Sequence, residues 1–286
     1  MLSNFYNNYV TDKKNVNDDV VIAVLAKDKE YCIKFYLDCI YNLNYDKKKI
    51  HLYIRSNDNN DKTEEILKEF IDKHSKEYGS IYYNFESINE TLKDIGHREW
   101  TKERFKILGK IRQQSVDYAI KKKSHYFVVD CDNFITSNSL KILMEKLDKY
   151  KVIAPMLNSQ KRKKWYSNFF MEVTDEGYCK VSNYYYVILN RQKRGIFEVP
   201  LIHCAYMIHN TILPKISYND DSERYEYVIL SDVLRKNNIS QYIINEDFYG
   251  YILWSLYEKE LKKDLLDNWP EKLHYFKNNN YIKNLL

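Results

Sequence analysis

Two aspartates separated by one cysteine, Asp130 and Asp132, directly follow the apolar run YFVV at residues 126–129. Such a run predicts a buried strand. Residues i and i+2 leaving a strand can point both carboxylates into one crevice, where their repulsion is costly. A hard divalent cation relieves that repulsion, because Mg²⁺ and Mn²⁺ prefer oxygen ligands. Two protein carboxylates leave coordination positions for phosphate oxygens, so the doublet predicts a metal–diphosphate site.

Two enzyme classes end a strand in Asp-x-Asp, and a surface doublet also arises by chance in a chain with 40 acidic residues. Phosphohydrolases that form an aspartyl phosphate use the first Asp as nucleophile. Their doublet usually ends the first strand, with Thr or Val two residues after the second Asp. Here Phe134 fills that place, and 129 residues precede Asp130. The position therefore favours the second class, the glycosyltransferases that use a sugar nucleotide.

The segments before the doublet alternate between predicted strands and predicted helices. The strands are predicted at residues 20–26, 50–56, 81–85, 126–129 and 151–156. This alternation is typical of a mostly parallel sheet with helices on both faces. Ligands bind outside the carboxyl ends of the strands in such a sheet, and the doublet lies at one of these ends. A long helix capped by Thr101 should present Arg112 and Gln113 towards the same end.

The pattern changes after Met156. Aromatic and β-branched runs broken by turns predict antiparallel strands and long loops there: WYSNFFMEV, YYYVIL and FEVPLIHCAYMI. A helix is predicted at residues 226–237, and the tail is helical and charged. We expect one domain over residues 1–286, with a nucleotide-binding half at about 20–155, an acceptor-binding half at about 156–252 and a helical tail at 253–286.

Composition excludes several classes of protein. The net charge of +5 is too small an excess to predict nucleic-acid binding. Five cysteines without a CxxC pair indicate reduced thiols. The first fourteen residues are too polar for a signal peptide, and no run reaches the roughly 18 apolar residues of a membrane span. We therefore expect a soluble chain, compatible with the cytoplasm. Basic clusters at residues 161–164 and 191–194 lie in predicted loops.

Eight longer segments resemble the collagen glycosyltransferases that modify hydroxylysine, most closely the procollagen galactosyltransferases. In order, from about Val20 to Ile252, they are VVIAVLAKDKEY, NLNYDKKKIHLYIRSNDNNDKTEEIL, WTKERFKILGKIRQQSVDYA, YFVVDCDNFIT, VIAPMLNS, WYSNFF, NRQKRGIFEVPLIH and NEDFYGYI. The resemblance implies an α/β fold of the GT-A glycosyltransferase type: a mostly parallel nucleotide-binding sheet flanked by helices, with an antiparallel acceptor-side half. Family members are usually longer and work in the lumen of the endoplasmic reticulum.

The resemblance also implies which residues hold the sugar nucleotide and its metal ion. The cofactor-binding set would be Leu25, Ala26, Lys27, Asn57, Asp58, Arg112, Asp130, Cys131 and Asp132. Asp130 and Asp132 would ligate Mn²⁺ bridging the diphosphate. A family motif resembling NEHRYGY reads NEDFYGY here, with Asp247 where the histidine would be. Asp247 is therefore the candidate third ligand, and His203 is the alternative.

The implied chemistry is displacement at the anomeric carbon with UDP as the leaving group. Mn²⁺ would act as Lewis acid and stabilise most of the negative charge that develops on UDP. Arg194 in the basic loop 191–194 is a candidate to stabilise the rest of that charge, and a solvated turn is the equal alternative for this loop. Inverting transfer needs a carboxylate base, for which Glu226 is the main candidate and Asp232 a lesser one. The galactosyltransferases carry an Asp-Asp pair in this region, and its absence here slightly favours retaining glucosyl transfer.

Aromatic rings stack on sugars and amides bond hydroxyls, so the acceptor-binding candidates are Trp165, Tyr166, Asn168 and Tyr185. Together with the doublet, the resemblance implies a Mn²⁺-dependent transferase acting on a collagen-like polypeptide. It would move glucose from UDP-glucose onto galactosyl-hydroxylysine, or galactose from UDP-galactose onto hydroxylysine. The alternatives are a catalytically silent sugar- or collagen-binding module and an aspartyl-phosphate phosphohydrolase. The donor sugar, the stereochemistry, the compartment and the oligomeric state, a homodimer included, stay open at this point.

Overall fold

The computed structural model describes residues 18–88, 101–159, 165–254, 257–268 and 270–285, and the basic cluster at 161–164 lies outside these ranges. The strands are β1 (Val20–Ala26), β2 (Ile50–Ser56), β3 (Ser80–Asn84), β4 (His125–Val129), β5 (Asn133–Ile135), β6 (Val152–Pro155), β7 (Asn158–Ser159), β8 (Phe169–Phe170), β9 (Glu172–Val173), β10 (Cys179–Lys180), β11 (Ile196–Val199), β12 (Leu201–Ile202), β13 (Ala205–Ile208), β14 (Gln241–Ile244) and β15 (Gly250–Ile252).

The α-helices are α1 (Glu30–Tyr41), α2 (Thr63–His74), α3 (Lys102–Lys122), α4 (Ser139–Leu147), α5 (Asn183–Leu189), α6 (Glu226–Lys236), α7 (Glu258–Lys263) and α8 (Asn280–Lys283). Shorter 3₁₀ segments lie at Lys47–Lys49, Asn210–Lys215 and Pro270–Phe276, and a π-helical segment lies at Asp264–Asn268. Within the described ranges, every helix falls short of the length and apolar content that a membrane crossing requires.

Eight strands form the central sheet, in the order β11-β14-β6-β13-β4-β1-β2-β3. β1 pairs in parallel with both β2 and β4, β2 with β3, and β14 with β6. β13 is antiparallel to its two neighbours, β4 and β6, and β11 is antiparallel to β14. The mostly parallel sheet predicted for the first half is therefore present, with one antiparallel strand from the second half inside it.

The apolar run of β1 is buried on both faces of this sheet. Val20, Ile22 and Val24 join the core that α1, α2 and α4 cover, whereas Val21 and Ala23 join the core that α3, α5 and α6 cover. Each fully buried valine or isoleucine contributes about 1.5–3 kcal/mol to folding. The continuous apolar sequence of β1 thus follows from its two covered faces.

One segment of the second half differs from its prediction. The run YYYVIL, predicted as a strand, belongs to helix α5, which begins where the Ser182 hydroxyl accepts a hydrogen bond from the N–H of Tyr185 at 3.4 Å. Tyr185, Ile188 and Leu189 are its buried residues, at a spacing of three and four. A serine cap and this spacing are helix signals that the β-prone composition of the run obscured.

A three-stranded sheet, β5-β15-β7, lies directly after the doublet and includes Gly250. We expect Gly250→Ala to lower the free energy of unfolding by about 2 kcal/mol or more. Gly250 has φ 144°, and a Cβ there would lie 2.0 Å from the backbone oxygen of Phe134 in the paired strand β5. A backbone atom of a paired strand cannot move aside, so the two strands would have to separate.

Gly195→Ala is the matched control for this substitution. Its φ is 149°, but the nearest atom to a Cβ there is Cζ of the Phe197 ring, at 3.7 Å. Chemical denaturation of both variants should therefore show the larger loss for Gly250→Ala. Equal losses would mean that backbone strain, and not the contact with β5, explains the requirement for glycine.

Candidate functional site

A cleft of about 510 Å³ opens where β1, β2 and β4 end, a volume in the range of small-molecule sites. Helix α3 forms one wall, with Ile107, Ile111 and Arg112 among its residues. The segments 225–227 and 252–254 also line it. The position is the crevice at the carboxyl ends of parallel strands that the alternating pattern predicts.

The doublet is fixed at this edge by segments from the second half of the chain. The N–H of Asp130 donates to the carbonyl of Cys204 at 2.8 Å. The N–H of Leu253 donates to the carbonyl of Asp132, also at 2.8 Å, and the N–H of Asn133 closes the turn onto the carbonyl of Asp130. The strands β13 and β15 therefore determine where the two carboxylates lie.

Each carboxylate of the doublet forms an ion pair with a basic side chain. Arg112 Nη2 lies 2.8 Å from Asp130 Oδ1, and Lys29 Nζ lies 2.8 Å from Asp132 Oδ2. The repulsion that the sequence predicts between the two aspartates is thus offset by the protein itself. Lys29 is a site residue that sequence reasoning missed. Its one signal is its position three residues after the end of β1, within a segment already assigned to the donor.

Glu226 also reaches the cleft, through the same arginine. Its Oε1 accepts a hydrogen bond from Arg112 Nε at 3.2 Å, and both side chains are almost fully buried. Burial raises the pKa of Glu226, although the positive charge of Arg112 opposes the shift. Arg112 Nη1 is buried without a hydrogen-bond partner among the described residues, so it can donate to a ligand. A buried carboxylate of raised pKa in a cleft is a candidate general base.

The other donor-binding residues implied by the resemblance belong to the same cleft. Leu25, Ala26, Lys27, Asn57, Asp58 and Cys131 all line it. The ammonium of Lys27 donates to the carbonyl of Asp58, which joins the turn after β2 to the end of β1. Burial alone would raise the pKa of Asp58, but hydrogen bonds from Ser87, Ile88 and Asn57 outweigh it and lower the pKa to about 2. Asp58 is therefore a fixed negative charge.

The doublet itself offers two carboxylates to a metal ion. Within the described ranges, no three His, Cys, Asp or Glu side chains are grouped closely enough to hold a metal. Magnesium-type ions are commonly held by one or two carboxylates plus substrate phosphates and water, so Asp130 and Asp132 fit such an ion.

The structure does not bring Asp247 to the doublet. Asp247 lines a separate pocket of about 220 Å³, where its Oδ1 accepts from its neighbour's N–H, that of Phe248, at 2.7 Å and from the hydroxyl of Tyr275 at 3.3 Å. His203 does line the cleft. Burial, with the nearby charge of Arg112, lowers its pKa to about 4 and keeps its imidazole neutral. Of the two candidate third ligands, only His203 shares a cleft with the doublet.

Two further catalytic candidates lie outside the residues that line the cleft. Arg194 donates to the carbonyl of Glu246 at 3.2 Å, so the basic loop holds the segment after β14 instead of covering a phosphate. The Asp232 carboxylate accepts from Arg224 and Lys236, each at 3.0 Å. Both side chains are engaged in contacts that stabilise the fold, and this geometry lends no support to a catalytic role for them.

The acceptor-binding candidates divide in the same way. Tyr166 lines the cleft and packs against Trp254, a residue absent from the prediction, at 4.7 Å between ring centroids. Trp165 is 49% exposed and lies at the margin, 6.4 Å from the Trp254 ring.

Asn168 and Tyr185 are corrections to the predicted acceptor site. The Asn168 side chain is fully buried, donates to the carbonyls of Pro155 and Ala205, and accepts from Leu157. The hydroxyl of the buried Tyr185 donates to the carbonyl of Trp165 at 2.9 Å. Both polar groups satisfy backbone partners in the core, so neither is free to bind an acceptor.

Comparison with known proteins gives one family. The family model "Glycosyltransferase family 25, N-terminal domain" matches residues 17–270. The mouse protein named inactive glycosyltransferase 25 family member 3 is 28% identical over 243 residues, and mouse procollagen galactosyltransferase 2 is 28% identical over 242 residues. Each alignment covers 82% of this chain but only 40% and 38% of the respective relative. The chain thus spans well under half the length of the curated relatives it matches.

The fold has a counterpart among solved structures. S. aureus TarS residues 1–349, crystallised in complex with UDP-GlcNAc, superposes with a TM-score of 0.55 at 13% identity. The superposition covers 93% of this chain and 72% of that one. The likeness confirms the GT-A type of α/β fold that the sequence resemblance implies.

Proposed function

Because the chain belongs to glycosyltransferase family 25, we propose that it transfers a hexose from a UDP-sugar to a hydroxyl group of a collagen-type polypeptide. One observation carries the proposal: Asp130, Asp132, Arg112 and Glu226 meet in a single cleft at the carboxyl ends of the parallel strands. Family membership also leaves the aspartyl-phosphate phosphohydrolase without support.

The donor would lie along the cleft from β1 and β2 towards the doublet. Uridine and ribose would contact residues 25–27 and 57–58, and the diphosphate would reach Asp130 and Asp132. These two carboxylates would hold Mn²⁺, which when bound supplies Lewis-acid stabilisation of the leaving diphosphate. Arg112 Nη1, which is buried without a hydrogen-bond partner among the described residues, would donate to a donor oxygen. The likeness of the fold to an S. aureus structure in complex with UDP-GlcNAc supports a sugar nucleotide as the donor.

Glu226 would accept the proton of the acceptor hydroxyl. Its carboxylate lines the cleft with the doublet, and Arg112 bonds both Glu226 and Asp130. A base in this position supports inverting transfer, the opposite of the slight preference drawn from the sequence. The relatives named procollagen galactosyltransferases add support for galactose as the transferred sugar and for a collagen-type acceptor.

The acceptor would enter over the aromatic side of the cleft. Tyr166 and Trp254 meet there edge to face, and Tyr227 lines the same wall. Aromatic rings bury the apolar faces of sugars and of a polypeptide backbone. This surface is therefore suited to a collagen-type chain carrying a hydroxylated side chain.

A sugar- or collagen-binding module without catalysis is the second candidate, because one of the two mouse relatives, glycosyltransferase 25 family member 3, is named inactive. This candidate predicts that the cleft binds UDP-sugar or peptide and that no bond is broken. The two candidates differ in whether UDP is released in proportion to acceptor.

The test is UDP release by the purified chain with Mn²⁺, UDP-galactose or UDP-glucose, and a deglycosylated or galactosylated collagen peptide. We expect release that depends on a peptide containing hydroxylysine and a product heavier by one hexose in mass spectrometry. A peptide with lysine in place of hydroxylysine is the matched control. Peptide binding without release for any donor–acceptor pair would contradict transferase activity and favour the silent module.

A further inference from the structure

The ammonium of Lys29 is the structure's own cation at Asp132. Its Nζ lies 2.8 Å from Asp132 Oδ2 and 3.3 Å from the hydroxyl of Tyr31. The backbone N–H of Lys29 donates to the Thr63 hydroxyl at 2.6 Å, which fixes the point from which the side chain extends. Lys29 therefore contacts a residue of the doublet that lies about a hundred positions later in the sequence.

We propose that Lys29 competes with the divalent cation for Asp132 and transfers its contact to the donor diphosphate when the cation binds. The inference rests on the proposed function, because it assumes a sugar nucleotide and a metal in this cleft. It assigns to Lys29 a role that neither the doublet nor the family match specifies.

The charges of the cleft explain why the competition arises. Asp130 is paired with Arg112, which Glu226 shares, and Asp132 is paired with Lys29, so each carboxylate of the doublet has a cationic partner before any ligand arrives. A dication on the same carboxylates would lie close to an ammonium, and like charges at such separations repel strongly at low effective dielectric. Diphosphate brings negative charge that the displaced ammonium can bind. Cation and donor should therefore bind cooperatively, each strengthening the other by the same factor.

Lys29 can move and Arg112 cannot. The Arg112 side chain is 6% exposed and is held by two acids, Asp130 and Glu226. The Lys29 side chain is 22% exposed and forms an ion pair with one acid, Asp132, which is itself 29% exposed. A partly exposed lysine on a flexible four-carbon stem can leave Asp132 when a cation takes its place and an anion is within its reach. Of the two cations at the doublet, Lys29 is the one suited to exchange partners.

The test measures Mn²⁺ binding to the whole chain by electron paramagnetic resonance of the free ion, without donor or acceptor. We expect Lys29→Met to bind Mn²⁺ about tenfold more tightly than the wild type, and Lys29→Arg to resemble the wild type. Lys27→Met is the matched control: Lys27 lines the same cleft but donates to the carbonyl of Asp58. Its loss changes the cleft charge equally and should change Mn²⁺ affinity by less than about threefold.

Added UDP should strengthen Mn²⁺ binding more in the wild type than in Lys29→Met. Only the wild type has an ammonium at residue 29 that can leave Asp132 and contact the diphosphate. Thermal melting checks that each variant is folded, and Lys29→Gln, which also lacks the ammonium and should show the same tighter Mn²⁺ binding, replaces Lys29→Met if that variant melts early. Equal Mn²⁺ affinities of the wild type and Lys29→Met, or no Mn²⁺ binding by either, would overturn the proposal. A chain that shows the expected affinities but transfers no hexose would refute the proposed function alone.

Discussion

Hexose transfer should fall by about a thousandfold or more in Asp132→Asn, because the amide removes a charge that, under the proposed function, would hold the cation at the leaving diphosphate. The fold should survive, since the contact that fixes the turn is the backbone carbonyl of residue 132, which accepts from the N–H of Leu253. The loss also frees Lys29 from its ion pair. Initial rates of UDP release at saturating donor and acceptor measure the effect.

The control for this substitution is Asp148→Asn. Asp148 is 77% exposed and lies in the loop after α4, where it pairs with Lys151 and His209. Its rate should stay within about twofold of the wild type, as surface substitutions away from a site usually do. A full rate in Asp132→Asn would remove the doublet from the mechanism.

The second large effect concerns Glu226, the proposed general base. Glu226→Gln should lower transfer by about 10²–10⁴-fold while UDP binding is retained, because a glutamine cannot accept the proton of the acceptor hydroxyl. Burial raises the pKa of Glu226, and a base works only when deprotonated. The wild-type rate should therefore rise with pH through a midpoint above that of an ordinary glutamic acid, and this limb should vanish in the variant.

Asp232→Asn separates the two candidate bases on the same helix. Its carboxylate accepts from Arg224 and Lys236 outside the cleft, so transfer should change little and the pH dependence should stay that of the wild type. If Glu226→Gln worked at full rate and Asp232→Asn did not, the base would have to be assigned to Asp232 and the cleft would need a different conformation. A retaining mechanism would leave both variants active.

The strands and helices that precede Met156 follow closely from local sequence. A continuous apolar run such as residues 20–26 is satisfied only by a strand covered on both faces, and helical spacing identifies the helices between the strands. Because the ends of parallel strands meet at one edge, Asp130 and Asp132 could be placed in a ligand crevice from the order of elements alone. The structure brings residues 25–27 and 57–58 to the same cleft.

The partners of those residues could not be predicted, because they depend on contacts between distant segments. Lys29 meets Asp132 and Arg112 meets Glu226 only after the sheet has formed. Asn168 is of a residue type that often binds sugar hydroxyls, yet its amide donates hydrogen bonds to backbone carbonyls in the core. Asp247 matches a motif position, yet β15 runs so that Leu253 rather than Asp247 reaches the doublet. Residue type indicates what a side chain can bind, whereas the register of strands decides what it meets.

Strand β13 has a consequence for how the chain is made and how it can be recombined. It lies between β4 and β6 although it follows both in the sequence. During synthesis, the edges of those two strands that face β13 stay unpaired until residue 208 has left the ribosome. Unpaired strand edges can pair with other chains. For the same reason, grafting residues 20–155 from one relative onto the remainder of another would seat a foreign strand in the middle of the sheet. Chimeras should instead exchange all eight strands as a set.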